Sequence, residues 1–222
     1  MSYSYQLKDR QGELWEASVN HAFVRGIGDG SLPLENFRYY MRQDYLFLVD
    51  MCRAMASAVA KADTLEDMQY FSLGLDATLN TEMGLHTGYC EQLGITEEQL
   101  RQTEASPATL EYTGHLIRVA SQGGPGEIAA AMLPCSWTYA EIGLMLFDRG
   151  LPQKQPLYWP WIEMYASEEY VKSAERMKAF VDRCGTDAGA TELTRMDSAF
   201  DLGLRYEHLF WDAALAMEEW NL

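Results

Sequence analysis

The sequence is poor in positive charge: 17 Lys and Arg stand against 33 Asp and Glu, a formal net charge of −16. The basic residues are scattered without a cluster, so the phosphate-neutralising surface that direct nucleic-acid binding needs is missing. Long apolar runs are missing too, and none approaches the roughly 18 residues of a membrane span. The opening "MSYSYQLKDRQGELW" has no basic segment followed by an apolar one, so no secretory signal is expected and the cytoplasm is the expected location. Cysteine and histidine are sparse, four of each. Cys52, Cys90, Cys135 and Cys184 lie far apart without a CxxC pair, which suits free thiols in a reducing compartment rather than disulfides or a zinc site. Strand-like alternation is nearly absent. The glycines of "GIGDG" and "GGPG" follow no predicted strand, which argues against a nucleotide-phosphate loop and for turns between helices.

What remains reads as helix after helix, an all-α single-domain bundle over residues 1–222. A first helix is expected over about 5–22, ending at "RGIGDGSLP". A second starts near Pro33, a residue suited to a first helical turn, and runs to about Ala62. Thr64 and Asp67 offer a capping box for a third helix reaching about Gly94, and Thr96 with Gln99 caps a short one. Further helices are expected at about 106–122, 126–149, 155–165, 168–184 and 188–219.

Two of these helices carry a carboxylate in the middle of an apolar stripe. Phe37, Tyr40, Met41, Asp44, Phe47, Leu48 and Met51 recur at steps of three and four and share a face centred on Asp44. Asp44 there is costly unless paired, either with an arginine such as Arg38 or Arg42 or with a ligand. Phe200, Gly203, Leu204, Glu207, Phe210 and Trp211 repeat the pattern around Glu207. Desolvation among aromatics raises such a glutamate toward neutral pH, where a general acid or base works best, although a buried ion pair gives the same pattern. The stretch "AMLPCSWTYAEIG" adds a thiol: Cys135, Tyr139 and Ile142 face one way, and Pro134 is expected to kink the helix. From the pattern alone Cys135 is either an inert core residue or a nucleophile opened to a cavity. Tyr112, Tyr139 and Tyr165 each need a hydrogen-bond partner if buried, and a flat heteroaromatic ligand would use several such walls together.

Glu82 and His86 form an i, i+4 pair of the kind a helix-borne di-iron site uses. None of the other histidines (His21, His115, His208) completes such a set, so no metal is expected.

Five blocks, "HAFVRGIGDGSLPLENFRYYMRQDYLFL", "TEMGLHTGYCEQLGI", "SPATLEYTGHL", "AAMLPCSWTYAEIG" and "YEHLFW", together resemble the TenA family, also called thiaminase II or aminopyrimidine aminohydrolase, from about residue 10 to about 220. The resemblance implies a haem-oxygenase-like fold without haem or other cofactor, a homotetramer, and a hydrolase for the pyrimidine half of thiamin acting in thiamin salvage. It makes Cys135 the nucleophile, Glu207 the acid/base and Asp44 the carboxylate that anchors a small-molecule pyrimidine. Tyr112, Tyr139 and Tyr165 match pocket tyrosines, with Tyr139 able to orient the thiol and Tyr165 to hold Glu207. Phe47 stands where many members have Tyr. A non-catalytic pyrimidine carrier or sensor, a regulatory protein, and a cofactor-making oxidase on the same fold are the competing readings.

Overall fold

The computed structural model describes residues 1–221 and is helical throughout, with no strand among the described residues. Its helices are α1 (Tyr3–Arg10), α2 (Gly12–Val19), α3 (Ala22–Asp29), α4 (Leu34–Lys61), α5 (Leu65–Asp76), α6 (Met83–Gln92), α7 (Glu97–Arg101), α8 (Pro107–Gln122), α9 (Pro125–Arg149), α10 (Trp159–Ala166), α11 (Glu168–Asp187) and α12 (Ala190–Ala216). A π-helical segment, Ala77–Glu82, joins α5 to α6, and a short 3-10 turn, Pro156–Tyr158, leads into α10.

Helix α9 is the centre of the bundle. It packs against α8, α10, α11 and α12, and nearly every residue from Gly126 to Tyr139 is buried. The long α4 lies across α5 and α8 and turns Phe37, Tyr40, Met41, Asp44, Phe47 and Leu48 inward, the stripe its periodicity predicts. Helix α12 buries Phe200, Gly203, Leu204, Glu207, Phe210 and Trp211 in the same way. Fully buried side chains include Trp15, Trp161, Trp211, Tyr40 and Tyr112, so the interior is a continuous aromatic core.

Several sequence-based expectations need correction. The first expected helix is two, broken at Gln11 and ending at Asn20. "RGIGDGSLP" is only partly a turn: Ala22–Asp29 forms α3, because the His21 side chain caps it by accepting from the Phe23 N–H at 3.2 Å. The expected helix over 64–94 is interrupted by the π segment, whose i→i+5 bonds shift the register of the following turns. Thr64 does cap α5, accepting from the Asp67 N–H at 3.1 Å, but the Asp67 carboxylate pairs with Arg183 instead of closing the box. The Thr96 and Gln99 box is complete.

Pro134 does not break its helix, and α9 runs through it from Pro125 to Arg149. The ring packs against α12. Gly203 of α12 sits so close that a Cβ there would lie 2.7 Å from the Ala131 carbonyl oxygen and 3.2 Å from the Pro134 ring. Only a hydrogen at position 203 permits this approach, which brings Glu207, one turn further, over Cys135. Gly143 does the same against α10, where a Cβ would lie 2.4 Å from the Tyr165 carbonyl carbon.

Candidate active site

Cys135 lies in the middle of α9 and is buried, 9% exposed. Glu207 from α12 faces it at 1% exposure. Its Oε1 accepts the Tyr112 O–H at 2.5 Å, and its Oε2 has no hydrogen-bond partner. Burial raises Glu207 to about 7; the bonds from Tyr112 and the Cys135 thiol pull it down, and the charge of Asp44 pushes it up. Burial also drives the Cys135 thiol well above its usual range, reinforced by the charges of Glu207, Asp44 and Glu82. The sulfur is therefore a thiol at neutral pH, with the Glu207 carboxyl, raised to about 7, beside it to take the proton.

Asp44 from α4 closes the other end at 4% exposure. Neither Arg38 nor Arg42 is its partner, since Arg38 is engaged by Glu35 and the Leu93 carbonyl. The cation facing it is His86 of α6, whose Nε2 lies 3.4 Å from Asp44 Oδ2. Burial alone would lower His86; the contact with Asp44 and the Cys90 thiol outweigh it and raise the ring to about 10. Glu82, one turn earlier, is raised to about 7 by burial and by the charge of Asp44. The pocket thus holds three carboxyl groups, one thiol and one imidazolium.

Aromatic rings form the walls. Phe47 packs on Tyr112 at 4.6 Å between centroids and on Phe210 at 6.2 Å. Tyr139 stacks on Trp211 at 5.2 Å and meets Tyr165 edge-on at 4.7 Å. Tyr40 donates to the Tyr139 hydroxyl at 3.2 Å and accepts from Trp161 Nε1 at 3.2 Å. Glu207 Oε2 is buried here without a hydrogen-bond partner. An unsatisfied carboxylate oxygen beside a thiol is what a hydrogen-bonding ligand would complete.

A sequence model of the TENA/THI-4/PQQC family matches residues 9–217. The chain belongs to this family. It is 40% identical to the aminopyrimidine aminohydrolase of Halalkalibacterium halodurans, over 100% of this chain and 99% of that one. A crystal structure described as a TenA family transcription regulator, from a Silicibacter species, superposes with a TM-score of 0.88 at 30% identity, covering 96% of this chain and 97% of that one. The haem oxygenase of a Synechocystis cyanobacterium, solved with haem, shares the fold alone, with a TM-score of 0.64 at 13% identity and 96% and 91% coverage.

In this TENA/THI-4/PQQC chain the structure brings Asp44, Phe47, Tyr112, Cys135 and Glu207 together, with Tyr139 and Tyr165 forming the adjoining wall. The expected division among the tyrosines is corrected. Tyr112, not Tyr165, holds Glu207, because α8 lies against α12 whereas α10 lies against α9. Tyr139 is tied to Tyr40, with no hydrogen bond to the Cys135 thiol. Sequence reasoning noticed Glu82 and His86 only as half of a metal set; their partner Asp44 comes from another helix. Tyr170 of α11 was missed altogether, although it packs edge-on against Tyr165 at 4.8 Å and burial plus the Cys135, Glu82 and Glu207 charges raise it.

A second cluster, His21, His208 and Asp212, brings possible ligand atoms within 4.8 Å of one another. His21 Nδ1 already accepts from the Phe23 N–H, so the neutral ring keeps its proton on Nε2, which faces Asp212 Oδ1 at 3.0 Å. A metal there would require an imidazolate, and the cluster reads as a helix cap with its counter-charge.

Proposed function

We propose that this protein hydrolyses the pyrimidine half of thiamin or of its degradation products, converting 4-amino-5-aminomethyl-2-methylpyrimidine to the 5-hydroxymethyl compound and ammonia. The observation that carries the reading is the opposition of the Cys135 thiol and the Glu207 carboxylate, with Asp44 beyond them, in a chain 40% identical to an aminopyrimidine aminohydrolase. An aromatic pyrimidine does not readily expel a substituent from its 5-methylene. Glu207 takes the thiol proton, the sulfur adds to ring C6, and the same proton passes to the adjacent ring nitrogen. The 4-amino lone pair then drives the C–N bond electrons onto the departing nitrogen, which enters as an ammonium and leaves as neutral ammonia. Water adds to the exocyclic methylene as Glu207 takes its proton; the sulfur then departs with its electron pair and takes that proton back, and loss of the ring N–H proton to water restores aromaticity. Asp44 accepts from the 4-amino group and fixes the ring's orientation, and Phe47, Tyr112 and Tyr139 wall its faces.

The acidic surface and the absence of a basic cluster favour this reading over direct DNA contact. Action in the cytoplasm fits four unpaired thiols, and among the described residues no helix is long and apolar enough to cross a membrane. Assembly as a homotetramer belongs to the same proposal: Leu73, Leu79 and Leu85 stand at 70%, 51% and 57% exposure along α5, the π segment and α6. Ammonia release from the aminomethylpyrimidine tests the reaction. Binding without turnover would make the protein a carrier, and oxygen consumption independent of Cys135 would make it an oxidase.

A further inference from the structure

Glu82, His86 and Cys90 follow one another at four-residue steps and share a helix face turned toward α4. The His86 ring is 3% exposed. Its Nε2 approaches Asp44 Oδ2 to 3.4 Å without an aligned hydrogen bond, and its Nδ1 lies 3.7 Å from the Cys90 sulfur. From α4, Asp44 and the ring of Tyr45, 6.2 Å between centroids, face it; on its own side Glu82 and Cys90 stand one turn to either side. The charges acting most strongly on Cys135 are Glu207, Asp44 and Glu82, all acidic.

Three carboxyl groups around one desolvated space do not all ionise cheaply, and two of them, Glu82 and Glu207, are raised to about 7. Asp44 is the one with a cation in contact. An imidazolium can only donate, so its place against Oδ2 sets Asp44 as the accepting partner and leaves Oδ1 as a second acceptor. A carboxylate that only accepts rewards a ring edge that donates, an amino group, and penalises a carbonyl oxygen at the same place.

We propose that His86 is a positioning residue that holds Asp44 as an obligate acceptor, and thereby sets the preference for a 4-aminopyrimidine over its 4-oxo analogue. The inference rests on the pyrimidine reading of the site. Without His86, Asp44 has no cation against it beside two further carboxyl groups, and a carboxyl that holds a proton can donate to an oxo group.

Calorimetric titration with 4-amino-5-hydroxymethyl-2-methylpyrimidine and its 4-oxo analogue, at pH 6 and 8.5, tests this. His86→Gln is expected to bind the amino ligand at least about tenfold more weakly than wild type at pH 6, about 1.4 kcal/mol. At pH 6 the amino-over-oxo preference falls as well; at pH 8.5, where fewer protons compete for the carboxyl, the deficit shrinks and the preference recovers. In an Asp44→Asn background the His86→Gln change leaves both ratios untouched. A loss that is the same at both pH values, or none, overturns the inference, since a merely structural histidine has no pH-dependent signature. If His86→Gln does not fold, ¹⁵N-histidine spectra of the wild type decide: His86 stays an imidazolium from pH 6 to 9, and titration near its ordinary 6.5 overturns the inference. Wild-type protein that binds neither pyrimidine overturns the pyrimidine reading itself, a failure distinct from normal binding by His86→Gln.

Discussion

Replacing Glu207 by Gln should make the protein more stable at alkaline pH while abolishing its activity. The folded carboxyl is raised to about 7 from its ordinary 4.5, and the side chain is 1% exposed. A group raised on folding contributes stability that is full below the unfolded value and lost as pH rises through the folded one. For Glu207 the loss begins near pH 4.5 and is complete above about 7. From 4.5 to 7 is about 2.5 pH units, at about 1.4 kcal/mol each, so the native state loses about 3 kcal/mol across that window. Gln has no charge to desolvate and retains an oxygen for the Tyr112 hydroxyl. Its amide nitrogen, placed where Oε2 already lacks a partner, costs about 1 to 3 kcal/mol at every pH. The measurable quantity is therefore the difference in slope. Relative to wild type, Glu207→Gln should gain about 3 kcal/mol between pH 4.5 and 8.5, about 6 to 12 °C in Tm for a chain of this size. Urea unfolding and thermal scans at half-unit pH steps measure it. Parallel profiles for the two proteins would refute the assignment of a raised Glu207.

Other outcomes follow from the same geometry. His86, raised to about 10, loses its stabilising contribution as pH climbs from 6.5 through 10, so together with Glu82 and Glu207 it makes wild-type Tm lower at pH 9 than at pH 5.5 by differential scanning calorimetry. Tyr112→Phe removes a bond that holds Glu207 down, so the Glu207 inflection in the pH profile of kcat/KM should move up by about one unit, read by steady-state kinetics from pH 5.5 to 9. Gly203→Ala forces a Cβ against the Ala131 carbonyl at 2.7 Å; chemical denaturation should show a loss of about 1 to 3 kcal/mol, with kcat falling because Glu207 rides on the displaced helix.

Much of the site was legible in the sequence because its carboxylates interrupt a regular pattern. Asp44 and Glu207 stand at the centres of apolar stripes on long helices whose period is unmistakable, and both point inward as that period requires. The Thr96 cap and the bounds of α4, α8 and α9 were legible for the same local reasons. What could not be read were the partnerships. Asp44 has Arg42 within one turn of it in sequence, yet its cation, His86, comes from a helix beyond a π segment that no propensity signals. Tyr112 and Tyr165 are equivalent in type; which of them reaches Glu207 depends on which helix lies against α12. The approach of Gly203 to the Pro134 ring joins two helices far apart in sequence and is visible only in the fold.

The central claim is that Cys135 is the nucleophile of a pyrimidine hydrolase. Its most direct measurement is ammonia released from 4-amino-5-aminomethyl-2-methylpyrimidine by wild type and by Cys135→Ser, each shown folded by circular dichroism. Wild type should release ammonia steadily, and release by the variant should fall by several orders of magnitude. Equal release by both proteins, or none by wild type, would contradict it.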